Sequence, residues 1–341
     1  MWIVAAFGMT ALWAVVVVVN KKVLESVSPV AVNFFIRLVT LAGLLLITIP
    51  LTALDLWSNG FGINAEAAGW IALAAVATWL VAFNAYYYAL RGERIAVVAP
   101  ICSTDPIWTA LFAWLILGAT FGAATLVGMG VAMAGVVLIS RWMGGGAAAE
   151  GSSLAGAGAL AGAAHGDVLP DGAKGAAAAA EASATGPVAP SARVRLITLA
   201  LLAAAGWGLG PIFIDLAAGA YGRTTATMML LSQVLGAIML GGVLLLRRTP
   251  LTPRPLSPPE RRRAILLLVA SGMLEAVVSV LFYLSIAAIG PVLTMLIMAT
   301  TPVFSIVLGV ALLRERPGLR LTLAAAVTVA GVLIATLNGM T

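Results

Sequence analysis

Residues 30–54 read VAVNFFIRLVTLAGLLLITIPLTAL. Arg37 is the one charged side chain in this run, and the rest is almost wholly apolar. A helix needs about 20 such residues to cross the hydrocarbon core of a bilayer. A helix also satisfies its backbone polar groups within its own segment, which lipid requires. The run therefore predicts a membrane-spanning helix.

Nine further runs share this character, so the chain is predicted to be an all-α integral membrane protein with ten transmembrane helices. Of the 341 residues, 62% are hydrophobic and 9% are charged, against about 25% charged in a soluble domain. The net charge of +6 falls mainly in short loops, which indicates membrane orientation and not nucleic-acid binding. The nine runs cover residues 2–19, 68–90, 95–117, 121–141, 194–217, 222–246, 263–287, 291–313 and 319–338.

A Gly/Ala-rich stretch divides the runs into two groups of five. Residues 144–192 contain almost no large apolar side chains and cannot bury enough surface to offset ordering. We predict a flexible linker there, between a first unit at 1–143 and a second at 193–341.

The two units resemble each other in sequence. Displacing the first by 196 residues aligns polar, aromatic and proline positions at equivalent depths, and a displacement of 194 aligns a tryptophan near each start. The aligned pairs are Tyr87 with Tyr283, Thr104 with Thr300, Pro106 with Pro302, and Trp13 with Trp207. Five spans is an odd number, so the second unit must enter the membrane with opposite orientation. The chain is therefore predicted to be two inverted five-helix repeats, an architecture of secondary transporters with a solute site at the repeat interface.

Lysine and arginine predict the orientation. One face receives nearly all of them, whereas Arg223 lies on the other face near Asp55 and Glu66. By the positive-inside rule the basic face is cytoplasmic, which places both termini outside and the linker inside. We expect a multi-pass protein of the cell membrane, the inner membrane if the source is a bacterium.

Polar groups inside predicted spans are the candidates for function, because lipid makes them costly. Asp105 precedes Pro106 midway along the fourth span, and Pro302 is expected to break the ninth span at matching depth. Such paired breaks suit a central solute site; the alternative is a pair of packing kinks.

Glu275, near the middle of the eighth span, must be protonated, paired or exposed to water. Arg37 is a candidate for its partner or for a substrate clamp, unless it extends to the cytoplasmic interface.

A further group of candidates is aromatic or amide. Trp13 and Trp207 occupy matching places in the first helix of each half, where they line a cavity or pack against neighbours. Gln233 in the seventh span adds a hydrogen-bonding side chain. We predict that solute binding involves Trp13, Asp105, Trp207, Gln233 and Glu275.

Catalytic and metal chemistry have little support in the sequence. Cys102 and His165 are the only residues of their types, so neither a zinc site nor a His-based catalytic group can be assembled. No nucleotide-binding P-loop is present in the sequence. We therefore predict no catalytic residues, no metal and no cofactor.

Small residues are concentrated in the last span of each half. They suit close helix packing, and the pattern leaves open whether the partner is a second copy in a homodimer or another helix of the same chain. These residues are Gly128, Gly130, Gly135, Ala330 and Gly331.

Several short motifs make the chain resemble the drug/metabolite transporter superfamily, specifically its EamA-type ten-helix members. The second half has the Trp-Gly pair of that family, although Asp215 stands where a lysine is usual; the first half has Lys21 but Ala14 in place of glycine. The remaining matches are Ser28-Pro29, Ile36-Arg37, Tyr87-Tyr88-Ala89-Leu90, Asp105-Pro106, Leu117-Gly118 and Leu313-Arg314-Glu315-Arg316.

The resemblance implies a helical inverted-repeat fold with a central cavity, and transport of metabolites such as amino acids, often as export. We predict a secondary transporter of small organic solutes, working by alternating access with proton coupling as a hypothesis, and not an enzyme. Two alternatives remain open from the sequence. One is an intramembrane enzyme acting on a lipid-linked group, and the other is a channel or non-transporting membrane scaffold.

Overall fold

The structure is a computed structural model of the whole chain. It describes residues 2–53, 60–92, 98, 101–139, 190–252, 255–304, 307 and 319–338. These residues are helical apart from short turns and connections, and no strand occurs among them. The predicted linker lies outside this part of the chain except for its last three residues, which begin a helix.

Five named helices lie in the described part of the first half. They are α1 (Trp2–Leu24), α2 (Pro29–Ala53), α3, α4 (Asp105–Leu117) and α5 (Ala123–Ile139). Helix α3 has three consecutive parts, of which the middle one, Val76–Ala82, is π-helical; the flanking parts are Ala65–Ala75 and Phe83–Gly92. Asn64 begins α3 by accepting a hydrogen bond from the Ala67 N–H, as an N-cap does.

The described part of the second half has five further named helices. They are α6 (Pro190–Tyr221), α7 (Ala226–Leu246), α8 (258–289), α9 (291–298) and α10 (Leu319–Asn338). Helices α8 and α9 follow each other along Pro258–Met298 and are separated at Gly290, whose φ of 78° is left-handed. Glycine adopts this conformation without strain. These ten helices within the described residues confirm the all-helical membrane fold predicted from the apolar runs.

The distribution of side chains is that of a protein in lipid. By length and composition, six of the described helices could cross a membrane, one of them the long Pro258–Met298 segment, and shorter apolar helices lie beside them. Large apolar side chains such as Leu46 and Leu246 are 68% and 88% exposed, whereas Arg37 and Gln233 are fully buried. Such an arrangement is stable only where the surroundings are apolar.

The two halves interleave. Helix α1 packs against the α8–α9 segment, and its counterpart α6 packs against α3, so the first helix of each half contacts the third helix of the other. Helices α2 and α7, also counterparts, pack against each other. The interface between the repeats is therefore the centre of the molecule.

Glycines bring α5 and α10 into close contact. A Cβ at Gly128 would lie 2.5 Å from the Ala335 backbone nitrogen, and one at Gly331 would meet the backbone of Ala132. Gly130, by contrast, has open space. The small residues of α5 and α10 thus serve packing inside the chain, which answers the question left open by the sequence for Gly128 and Gly331. A homodimer remains a prediction.

Candidate functional site

Arg37 lies in the middle of a cluster of buried side chains, which we call the Arg37 centre; the others are Glu275, Gln233 and Trp79. It lies on α2 and is fully buried, and its Nη2 forms an ion pair with the Glu275 carboxylate of α8, which is 2% exposed. Its Nη1 donates a hydrogen bond of 2.9 Å to Gln233 Oε1 on α7. The arginine of one half is therefore held by two side chains of the other half. The sequence predicted Arg37 as a candidate partner of Glu275, and the structure shows this contact.

The guanidinium group of Arg37 also lies over an aromatic ring of its own half. Its central carbon is 3.9 Å from the centroid of the Trp79 ring and 5.4 Å from that of Phe83. A cation over a tryptophan face is attracted by the ring quadrupole, most strongly when water is excluded. Trp79 Nε1 donates in turn to Ser232 Oγ at 2.8 Å, so the ring is fixed across the repeat interface.

The backbone around Trp79 departs from the α-helix. Trp79 lies in the π-helical part of α3, and its carbonyl accepts a hydrogen bond of 2.8 Å from Asn33 Nδ2 on α2. A π-helical turn widens the backbone and frees carbonyls for such partners, and it is often found at functional sites. This side chain-to-carbonyl bond fixes α2 against α3 one turn before Arg37.

The centre is built from two pairs of equivalent positions. Arg37 and Gln233 are 196 residues apart, and so are Trp79 and Glu275, which is the displacement of the internal repeat. All four side chains meet at the guanidinium group. The centre therefore lies on the axis that relates the two halves.

Three polar atoms at this centre have unused hydrogen-bonding capacity. Arg37 Nε, Gln233 Nε2 and Glu275 Oε1 are buried and have no hydrogen-bond partner among the described residues. Buried polar groups in proteins are nearly always paired, and exceptions require an explanation. Two donors and one acceptor at one place can bind a small polar solute or water.

A second polar cluster lies one turn away on α8. Asn20 of α1 donates to the Tyr87 hydroxyl at 3.0 Å and accepts from Ser271 Oγ at 2.5 Å. These three residues are buried and join α1, α3 and α8. The cluster extends the polar centre towards the predicted cytoplasmic ends of α1 and α3.

Trp13 and Trp207 lie on either side of Phe83. Their ring centroids are 5.8 Å and 5.2 Å from the Phe83 centroid, with nearly perpendicular planes. Gly206 allows this approach, because a Cβ there would lie 2.7 Å from the Ala77 carbonyl oxygen of α3. The structure thus connects both tryptophans to the Arg37 centre through one aromatic ring.

Turns interrupt the chain at matching places before the two prolines. Thr104 and Thr300 lie in these turns, and their hydroxyls donate to the carbonyls of Ile101 and Ile297 at 2.7 Å and 2.6 Å. Pro106 and Pro302 follow two residues later, in the first turn of the next helical segment, where a missing N–H costs nothing. Both repeats therefore carry the same break.

Asp105 is separate from the Arg37 centre. It begins α4, and its Oδ1 is buried without a hydrogen-bond partner among the described residues. No ion pair or hydrogen bond joins it to Arg37 or Glu275 within the same part of the chain. Of the residues predicted for solute binding, Gln233 and Glu275 lie together, Trp13 and Trp207 lie near them, and Asp105 does not.

Sequence reasoning missed Trp79, Asn33 and Ser232. For Trp79 a signal was available, because the repeat displacement places it opposite Glu275. Asn33 and Ser232 align with apolar Met229 and Ile36, so the repeat offers no such signal for them.

Inverted repeats that enclose ionisable groups within membrane-spanning helices are typical of many membrane transporters. A sequence model of the EamA-like transporter family matches residues 1–141 and 194–337. The chain belongs to this family, as its motifs predicted. The Leu313–Arg316 motif lies outside the described residues.

The fold recurs in solved structures. One crystal structure, described only as that of a protein, superimposes with a TM-score of 0.66 at 14% sequence identity, and the match covers 100% of this chain and 99% of the other. At this identity the likeness concerns the fold alone. No curated protein matches the sequence significantly.

Proposed function

We propose that the protein is a secondary transporter that moves small organic metabolites by alternating access, with the Arg37 centre as its solute and coupling site. One observation carries the proposal: Arg37 binds side chains of both repeats at the axis between them. A group bound there acts on both halves at once. Alternating access requires such a group, because it exchanges the conformations of two similar halves around a fixed site.

The chemistry of the ion pair supports a coupling role. Breaking a buried pair leaves an uncompensated charge, which is strongly unfavourable. A zwitterionic solute avoids this cost, because its carboxylate can pair with Arg37 while its ammonium group pairs with Glu275, and α8 is then released from α2. A proton on Glu275 removes the partner of that ammonium group, so the proton and the solute compete for one carboxylate. A proton and a zwitterionic solute can therefore be exchanged at this site.

The surrounding residues have roles consistent with this site. Gln233 Nε2 and Arg37 Nε offer unused donors to the solute. Trp13 and Trp207 form aromatic walls beside Phe83. Asp105, next to the break at Thr104, is proposed to contact the solute in the conformation that brings α4 towards the centre.

The family favours a transporter over an intramembrane enzyme. Amino acids and related metabolites are the proposed solutes, moved outwards across the cell membrane in exchange for protons. These finer assignments rest on the resemblance to the family and on the charges of the centre.

Counterflow in proteoliposomes tests the proposal. Vesicles loaded with one metabolite are diluted into its labelled form, and solutes are compared across an amino-acid and nucleoside panel. We expect Glu275→Gln to abolish accumulation driven by a proton gradient while exchange persists, because the amide still accepts a hydrogen bond from Arg37 but binds no proton. Asp105→Asn should weaken solute binding more than coupling.

Glu66→Gln is the matched control. Glu66 is an exposed carboxylate in the first turn of α3, remote from the centre in the chain's interior, and its loss should change neither activity. Proton-driven accumulation that is unchanged in Glu275→Gln would exclude the coupling role. A wild-type protein without counterflow of any tested solute would contradict transport of these classes.

A further inference from the structure

A cavity lies away from the Arg37 centre, at the face predicted to be outside. Its volume is about 550 Å³, and it is open on one side and lined by the end of α4, the connection to α5, α6, and the break between α8 and α9. Apolar walls come from Leu117, Phe121 and Val292, and polar groups come from Thr120, Thr125 and Asp215.

Asp215 carries the one charge of this cavity. It is the only ionisable side chain among the described residues that line it, and it is half-buried. Within the described part of the chain, no lysine or arginine forms an ion pair with it. A half-buried carboxylate is only partly hydrated and attracts a cation, and the cavity that Asp215 lines is large enough to admit one.

In the first half of the chain, a lysine stands at the position equivalent to Asp215. Lys21 is the counterpart of Asp215 at the displacement of 194 that also relates Trp13 to Trp207. The Lys21 ammonium donates a hydrogen bond of 2.5 Å to the Leu90 carbonyl, in the last turn of α3. A helix C-terminus has unsatisfied carbonyls and a partial negative charge, so a built-in cation stabilises it.

The second half lacks that cation. The counterpart of Leu90 is Ile286, which lies in the last turn of α8 before the break at Gly290. A carboxylate replaces the ammonium group here, so the helix end and the side chain at position 215 have the same sign of charge. The N-terminus of α5 faces the cavity too, but a helix end carries only about half an elementary charge. The helix that follows Gly290 begins with Pro291, which has no N–H to donate.

We propose that this cavity binds a small organic ammonium ion, with its charge between Asp215 and the C-terminal end of α8. The ligand's ammonium group would occupy the place that Lys21 occupies in the first half. The volume and the apolar walls fit a cation with a hydrocarbon body better than a bare ion. The described residues contain no group of three His, Cys, Asp or Glu that could hold a metal.

Calorimetric titration of the purified protein in lipid nanodiscs tests this site. The probes are butylammonium and phenethylammonium chloride, with sodium chloride and neutral butanol for comparison. We expect saturable binding of the ammonium ions by the wild type, and binding at least about tenfold weaker in Asp215→Asn, because the charge opposite the ligand is lost. Glu66→Gln removes an acidic group at the same predicted face and should bind as the wild type does.

Asp215→Lys is the second variant. It recreates the Lys21 arrangement and should abolish ammonium binding while keeping or raising the unfolding temperature. Equal affinity in wild type and Asp215→Asn, saturable binding of sodium without the ammonium ions, or no binding by the folded wild type would each overturn the proposal. The titration is independent of the transport assay, because Glu275→Gln leaves this cavity intact and should bind ammonium normally.

Discussion

Arg37 and Gln233 occupy the same position in the two halves of the chain, and they are hydrogen-bonded to each other at 2.9 Å. Equivalent residues can meet only on the axis that relates the halves. Glu275 and Trp79, a second equivalent pair, also contact the guanidinium group. The centre of the protein is thus made from duplicated positions that have acquired different side chains.

A double-mutant cycle tests the energetic role of the ion pair. Arg37→Met and Glu275→Leu should each lower the free energy of unfolding by about 3–5 kcal/mol, because each leaves one buried charge without a partner. The double variant should lose less than either single variant. Unfolding of the purified protein in detergent, followed by denaturant titration, measures these differences.

The cycle shows an interaction between Arg37 and Glu275 only if the losses of unfolding free energy in the two single variants do not add up to the loss in the double variant. If the effects of the two substitutions simply add, the side chains are not coupled and the ion pair has no energetic role. Glu66→Gln serves as the control for loss of an exposed carboxylate and should shift stability little.

The hydrogen bond from Trp79 to Ser232 offers a second test. Trp79→Phe retains a ring over Arg37 but removes the N–H, and we expect a loss of about 1–2 kcal/mol from the bond and a weaker cation–π contact. Ser232→Ala leaves the indole N–H buried without a partner at a comparable cost. Together the two changes should cost less than the sum, and additive losses would contradict a direct interaction.

The glycines of α5 give a pair of matched variants. Gly128→Ala should destabilise the fold, because the new methyl group would lie 2.5 Å from a backbone nitrogen of α10 and force the helices apart. Gly130→Ala meets open space and should be neutral or slightly stabilising, since alanine is the better helix former. Thermal unfolding of both variants measures the difference, and equal midpoints would show that α5 and α10 do not pack as described.

Orientation in the membrane is tested by reporter fusions. The basic loops predict a cytoplasmic linker and a C-terminus outside. A reporter that fluoresces only in the cytoplasm should be bright when inserted near Gly172 and dark when fused after Thr341. The opposite pattern would reverse the orientation and leave the inverted repeat unaffected.

Much of the fold follows from the sequence, because lipid imposes a length and a polarity on each span. The ends of α10 coincide with the predicted run, and the prolines of the two repeats lie beside equivalent turns. The π-helical part of α3 has no such signature, since its residues VATWLVA would suit an ordinary helix as well. The partners Asn33 and Ser232 could not be predicted, because their contacts depend on how closely α2, α3 and α7 approach.

The contacts between α5 and α10 are alike in the two halves, whereas the side chains of the Arg37 centre differ between them. Gly135 faces Thr328 and Gly331 faces Ala132, which are the same contact seen from each repeat. At the Arg37 centre, in contrast, arginine is opposite glutamine and tryptophan is opposite glutamate. Under the proposed alternating access, two identical halves would make the inward-open and outward-open forms equal in energy. The glycine contacts, which are alike in both halves, leave that equality in place. The Arg37 centre and the Lys21/Asp215 pair, which differ between the halves, would remove it and set which form the empty protein prefers.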